Sequence, residues 1–598
     1  MPPSASGAPS LADAIHHDGS ELYVVGRPDD VGGRAVVRMR APQGAAAKVW
    51  LRYIGDGEPR TAEATVDESS GGETWWRAEL PVLNPTVRYR WLVAGGAAGQ
   101  RWLNGTGLHA HEVPSDDDFV LGVDRGAPGW HARSVVYEIF PDRFASSGVA
   151  AGLPLPDWAV RREWDRLPEG RSRNTSRELY GGDLPGIEQH LDHVERLGAN
   201  VLYLTPFFPA RSSHRYDASS FDEVDPLLGG DGALRSLLAA AHARDMRVVG
   251  DLTLNHCGSS HEWFLRAERD PGSPERELFF FDGSPPLGYA SWLGVRSLPT
   301  LNWGSPELRR RMEAVITRWL DEGLDGWRVD VANMAGRDRT LDVNHEIAAR
   351  ARELTRGRLL VAEHGHDYRP DLDGTGWHGV MNYAGFLRPA WWWLHGGSPE
   401  QDVFSRTPAP RYAGAEAVAT MRAFRAGVPW DAVASSWTLL DSHDTARIRT
   451  VAASRERHVV GIGLQMTTPG VPMVFAGDEI GLEGAWGEDS RRTMPWSRPE
   501  TWDTTLLEAY RELVALRRSS HALAYGGIRY VHVSDDAIAY LREAGGERLL
   551  CLAARAAHDP VATPFSELET VVGDHAQEGA LPSHGPAFHV WRVHDRVA

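Results

Sequence analysis

In DEGLDGWRVDVANM, Asp321–Met334, two charged side chains stand within an apolar run that reads as a buried strand. Strand side chains alternate between faces, so Arg328 and Asp330 share one face while Trp327, Val329 and Val331 take the other. Burying a charge is costly unless it is paired. Two readings meet that cost: a structural ion pair, or an active site that needs a water-poor setting. The pair alone does not separate them.

Outward from this strand the chain alternates short apolar strands with amphipathic helices. The run is SVVYEIF, LPGIEQHLDHVERLG, NVLYLTPF, GALRSLLAAAHARD, RVVGDLTL, PELRRRMEAVITRWLDEG, DGWRVDV, HEIAARARELT, RLLVAEH, HGVMNY, SSWTLLDSHD and VPMVFAGDE. Eight strands in a βα rhythm predict an α/β chain built on a (β/α)8 TIM barrel, with its site at the strands' C-terminal ends. Residues 257–303, after the third strand, are too long and turn-rich for a simple loop and predict a small excursion domain over the barrel mouth. Before the barrel, ELYVVG, RAVVRMR, KVWLRYIG and VRYRWLVAG alternate as an antiparallel β-sandwich does; after it, GIRYVHV, AIAYLRE, RLLCLAAR and AFHVWRV predict a second antiparallel β domain. The expected division is a disordered tail over 1–20 with His16 and His17 inert, an N-terminal β-sandwich over 21–124, a barrel over 125–515 and a C-terminal β domain over 516–598.

Hydrophobic content of 42% with 24% charged residues is globular composition. A net charge of −18 argues against a nucleic-acid partner, whose phosphates need a cationic surface. The two cysteines, Cys257 and Cys551, form neither a CxxC nor a disulfide framework. The N-terminus lacks a basic start and apolar run, and no uninterrupted apolar run reaches about 18 residues. The expectation is a cytoplasmic protein without membrane association.

The C-terminal ends of the strands carry Asp251, Asn255 and His256 (third), Arg328 and Asp330 (fourth), Glu363 (fifth), and His443 and Asp444 (seventh). Each is, taken singly, an ordinary buried polar group. A barrel brings them to one mouth, and three carboxylates gathered there suit glycosidic bond cleavage. A retaining glycosidase uses one carboxylate as nucleophile and a second as general acid/base. Asp330 fits the nucleophile, with Arg328 expected to favour its ionised form. Glu363 fits the acid/base, its proton retained beside other carboxylates. Asp444 would grip sugar hydroxyls and stabilise the cationic transition state. His256, His443, Arg328 and Arg447 are expected to bind substrate, and Asp251 and Asn255 to support the residues that do. Trp303, Trp377 and Trp486 are candidate sugar platforms, whereas Trp391–Trp393 suit helix packing.

Four motifs, DLTLNH, GWRVDVANM, VAEHGHD and LLDSHD, match together in order and spacing, and with them the chain resembles the alpha-amylase family of glycoside hydrolases from about Ser134 to Trp496. YEIFPDRF, GGDLPGI, SHRYDASSF, LPTLNW and RRTMPW resemble its neopullulanase, cyclomaltodextrinase and maltogenic amylase group. The resemblance implies the same roles for Asp330, Glu363 and Asp444. It places Tyr216 under the sugar at the cleavage subsite, implies that the N-terminal β-sandwich is carbohydrate-binding-like, and implies a homodimer through that domain. The activity implied is hydrolysis of alpha-1,4 bonds in maltodextrins, cyclodextrins or pullulan. A transglycosylase or isomerase of the family is the neighbouring alternative, and a non-catalytic sugar-binding protein the remaining one. Met334 replaces an acidic residue common in the group, and His364 with Gly365 replaces the aromatic that usually follows the acid/base. No cofactor is required. Asn255 matches a calcium-associated position in other family members or serves as a structural hydrogen-bond bridge, and RFASSG lacks the Asn and Asp that often begin a calcium loop.

Overall fold

Eight short strands close into a parallel barrel in chain order: Val136–Ile139 (β1), Val201–Leu204 (β2), Arg247–Thr253 (β3), Gly326–Asp330 (β4), Leu359–His364 (β5), Gly379–Asn382 (β6), Trp437–Leu439 (β7) and Val471–Phe475 (β8), with β8 pairing back onto β1. The structure is a computed structural model and describes residues 14–123, 126–172, 174–283, 286–396, 408–563, 565–576 and 579–594. Nearly every strand residue is buried, as expected where helices cover one face of a parallel sheet and packed side chains fill the other. In β4 the alternation holds. Trp327 faces outward and donates its indole N–H to Ile316 O (3.3 Å), while Arg328 faces inward to Asp251 on β3. Gly250 makes room for that outer layer, since a Cβ there would stand 2.7 Å from the Trp327 ring.

The helix before β4, Pro306–Asp321, starts where Ser305 accepts from Leu308 N–H and Pro306 occupies the first turn. Its buried residues, Leu308, Met312, Val315, Ile316, Trp319 and Leu320, form one apolar stripe against the barrel. The fifth unit departs from the βα rhythm: between β5 and β6 the chain makes only the 3₁₀ turn Arg369–Asp371.

Residues 257–303 form the excursion after β3. Their ends are clamped by the His256–Thr300 bridge and by Leu301 N–H donating to Asn255 O (3.0 Å). Inside, Phe264 packs against Phe279, Phe281 and Tyr289, giving the excursion an aromatic core of its own. A second long segment, between β1 and the helix Leu184–Gln189, was not singled out from sequence. Its 163–172 loop reaches the loop after β8, where Arg171 lies 4.4 Å over the Trp486 ring.

N-terminal to the barrel lie two antiparallel sheets, one ordered Val24–Val25, Arg34–Pro42, Glu73–Pro81, Thr65–Ser70, the other built around Lys48–Gly55 and Thr86–Ala94. Lys48–Gly55 alternates buried and accessible positions along its whole length. C-terminal to the barrel is a five-stranded antiparallel sheet. The two flanking units touch: Arg40 pairs with Glu543, and Arg529 with Glu73 (2.8 Å).

The expected tail to residue 20 is corrected from residue 14 onward; residues 1–13 and the 124/125 boundary lie outside the described residues. Ile15 is buried, His17 Nε2 meets the Tyr89 hydroxyl (2.9 Å), and Asp18 accepts from Ile528 N–H (3.0 Å). His16 and His17 thus belong to the core junction, drawn in by apolar Ile15 and paired Asp18. No helix among the described residues is long and apolar enough to cross a membrane.

Candidate active site

The register of β3, β4 and β5 sets the site. Asp251 lies beside Arg328, and Val329 beside Ala362, so the next residues, Asp330 and Glu363, emerge side by side at the mouth. Arg328 is fully buried and joins all three carboxylates. Its Nη1 reaches Asp251 Oδ1 and Asp330 Oδ1, each at 2.9 Å, and its Nη2 reaches Glu363 Oε1 at 2.9 Å. Glu363 Oε2 accepts from Val331 N–H (2.8 Å), while Asp330 Oδ2 has no hydrogen-bond partner and lies 3.8 Å from His256 Nε2. A free carboxylate oxygen beside a held one is what a nucleophile presents.

Burial pushes the Asp330 carboxyl well above the usual carboxylate range, the charge of Glu363 adds to it, and Arg328 opposes both without overcoming them. The expectation from sequence, which weighed Arg328 alone, ran the other way. The difference arises because one guanidinium is divided among three carboxylates in a water-poor pocket.

Asp444 occupies the other side of the set. Its Oδ2 meets His443 Nε2 (3.2 Å) and its Oδ1 meets Arg491 Nη2 (2.7 Å), while Arg491 Nε donates to His443 O (2.7 Å). Burial opposes ionisation of Asp444, but His443 and then Arg491 hold its carboxyl far below the usual range. The Tyr216 hydroxyl contacts His443 Nε2 (2.7 Å) and donates to Asp251 Oδ2 (2.9 Å), with its ring stacked on His443 at 5.6 Å. Tyr203 also donates to Asp251 Oδ2 (2.6 Å), so Asp251 is pinned by two phenols and Arg328. One contiguous network thus contains Asp251, Arg328, Asp330, Glu363, Tyr216, His443 and Asp444, with His256 at its edge.

A family model described as the alpha amylase catalytic domain matches residues 138–520. The chain belongs to the alpha-amylase family. Among curated relatives of this alpha-amylase family chain, neopullulanase 2 of Thermoactinomyces vulgaris is 29% identical, covering 89% of this chain and 88% of its own. A cyclomaltodextrinase of Geobacillus thermopakistaniensis is 30% identical over 81% of this chain and 80% of its own. Of solved structures, the type III pullulan hydrolase from Thermococcus kodakarensis superposes with a TM-score of 0.73 at 25% identity, covering 97% of this chain and 100% of that one. The cyclic alpha-maltosyl-(1→6)-maltose hydrolase from Arthrobacter globiformis gives 0.65 at 32% identity, with 73% and 94% covered.

Within this alpha-amylase family site, Arg447 is a correction. It is fully buried, and its guanidinium is held by Asp478 (2.7 Å) and the carbonyls of Ser490, Phe475 and Ala476, which leaves no nitrogen for a sugar. Arg491, quoted only within RRTMPW, is the arginine that reaches Asp444. Trp303 and Trp377 are buried, and Trp303 Nε1 donates to Leu254 O (2.7 Å), so neither offers a platform. Trp486 is partly accessible beneath Arg171, and Trp292 of the excursion, missed from sequence, stands 6.1 Å from His256. Glu138 on β1, also missed, meets His443 Nδ1. The signal was a glutamate inside an apolar strand, visible in YEIFPDRF.

The residues at the expected calcium position do not fit that ion. Asn255 turns its amide nitrogen toward His256 Nδ1 (3.2 Å), and Asp183, which faces the RFASSG loop, accepts from Ser147 N–H, Ser147 Oγ–H, Val149 N–H and Gly186 N–H at 2.7 to 3.3 Å. Donors already fill the carboxylate that a hard cation would need. Among the described residues, the cluster whose ligand atoms lie close enough to share one metal ion, Asp574, His584 and His589, is in the C-terminal unit and not at the barrel mouth.

Proposed function

We propose that the protein is a cytoplasmic retaining glycosidase that hydrolyses alpha-1,4 bonds of maltodextrins, cyclodextrins or pullulan by double displacement. The observation that carries this reading is the contact of Asp330 and Glu363 with the two terminal nitrogens of Arg328. In the productive form Glu363, as the general acid, carries a proton and Asp330, as the nucleophile, does not. Asp330 attacks the anomeric carbon as Glu363 passes its proton to the departing glycosidic oxygen, leaving a glycosyl ester on Asp330. Glu363, now a carboxylate, takes a proton from water. That water attacks the same carbon, the ester bond breaks, and the released sugar keeps the alpha configuration. Asp444, held ionised by His443 and Arg491, supports the oxocarbenium-like transition state through sugar hydroxyls.

Relatives named neopullulanase and cyclomaltodextrinase support the substrate class, and a relative named intracellular maltogenic amylase, from Bacillus subtilis and 29% identical over 69% of this chain, supports the location. Asp330→Ala and Glu363→Gln are each expected to lower kcat on maltotriose or cyclodextrin by about a thousandfold or more with Tm retained, the loss of one member of a concerted set. Full activity in either variant overturns the roles. Proton NMR of the first-formed product should show the alpha anomer; the beta anomer overturns retention. At high maltose concentration, glucose should exceed longer oligosaccharides, and the reverse would favour transfer. We also infer a homodimer through the N-terminal sheets, to be checked by light scattering.

A further inference from the structure

Glu138 lies on β1 with its backbone locked on both sides, beside Tyr203 on β2 and Phe475 on β8. Its side chain is fully buried. Oε1 meets His443 Nδ1, and Oε2 has no hydrogen-bond partner. The far side of the same ring faces oxygen again, with Nε2 at 2.7 Å from the Tyr216 hydroxyl and 3.2 Å from Asp444 Oδ2. A neutral imidazole has one N–H and one lone pair. In this geometry the lone pair would point at a carboxylate oxygen whichever nitrogen lost its proton. With the single Tyr216 hydroxyl hydrogen donated to Asp251 Oδ2, both nitrogens are satisfied only when both carry hydrogen.

We infer that Glu138 is a positioning residue for the hydrolysis proposed above: it keeps His443 doubly protonated, so that a fixed imidazolium holds Asp444 ionised and oriented at the mouth. The inference rests on that reading of Asp444. Burial pulls the His443 imidazolium down, and Asp444 and Glu138 outweigh it, raising the ring to about 10. The other charged or titratable groups around His443 are Tyr216, Asp251 and Arg328 on the mouth side, Arg491 on its carbonyl, and His214 and Tyr203 nearby. Two of these are cations and oppose the proton, Asp251 favours it, and the carboxylate at Nδ1 adds to the hold that Asp444 supplies. A neutral group in its place would let the ring titrate within the working range and free Asp444 from its partner.

The test compares Glu138→Gln with Glu138→Asp across pH. Glutamine keeps an acceptor for Nδ1 and nearly the same shape but removes the charge; aspartate keeps the charge and changes the shape. Glu138→Gln should retain turnover below neutral pH and move the alkaline limb of kcat/KM down by about one to three pH units, the size of a neighbouring-charge effect. Glu138→Asp should keep the limb nearer the wild-type position. A packing role predicts the reverse, a harmless glutamine and a damaging aspartate, and that result overturns the inference, as does an unshifted limb in Glu138→Gln. Nitrogen NMR of histidine-labelled wild-type protein, with His443→Asn identifying the resonance, reads the ring state without turnover. Double protonation above neutral pH supports the inference and single protonation overturns it. If the wild-type protein releases nothing from any alpha-glucan, the functional reading fails while this measurement still decides the role of Glu138.

Discussion

Val331 follows Asp330 directly and holds its backbone at φ 44°, in the left-handed region that a β-branched residue rarely enters. Such a conformation costs about 1–2 kcal/mol. It persists because Val331 N–H donates to Glu363 Oε2 and Ala332 N–H to Glu363 O, tying the turn after Asp330 to Glu363. Val331→Gly should relieve the strain with little change in Tm. It should also loosen the two carboxyl groups, lowering kcat by about tenfold to a hundredfold, as small misplacements do. Unchanged kcat would mean that the strain has no part in aligning them. At this scale the three carboxylates were legible because each stands in a motif at a strand end. Val331's backbone was not, since valine is an ordinary strand residue until a neighbouring strand's carboxylate claims its N–H.

Arg447 shows what an element does with a charge. It joins the loop after β7 to the end of β8 through Asp478 and three carbonyls. Asp478 in turn lies close to Asp441, whose carboxyl is pushed well upward by burial and by the Asp478 charge. Removing the cation leaves a buried carboxylate uncompensated, a loss of about 3–5 kcal/mol. Arg447→Met should therefore lower Tm by several degrees while KM of the protein that stays folded is unchanged. A raised KM at full stability would return Arg447 to substrate binding. From sequence, Arg447 and Arg491 are both arginines near the site motifs, and nothing local separates them. Period and length did reveal the strands, the long helix before β4 and the excursion after β3. They did not reveal that the fifth crossover lacks a helix.

Across the whole molecule, burial lowers a set of histidines that pack as neutral rings: His17 and His256 to about 4, His131, His214, His261 and His458 to about 3, and His378 to about 2, from 6.5. Their folded values lie below their unfolded ones. Folding is therefore unpenalised above pH 6.5, and stability falls as pH drops from there toward their folded values, because the unfolded chain binds the protons first. Tm should decline steadily between pH 6.5 and about 4. A flat profile over that interval would show that other groups offset them. Sequence by itself determined the barrel, its flanking β units and the three carboxylates at the mouth, because hydrophobic period and motif spacing are local properties of the chain. Tertiary structure alone decided which arginine reaches Asp444, that His17 is buried with His16 half-buried beside it, and that Glu138 backs His443. The physical reason is that a hydrogen bond is made by whatever atoms the fold brings together. Glu138 and His443 are 305 residues apart in the chain and adjacent only once β1 and β7 flank β8 in a closed barrel.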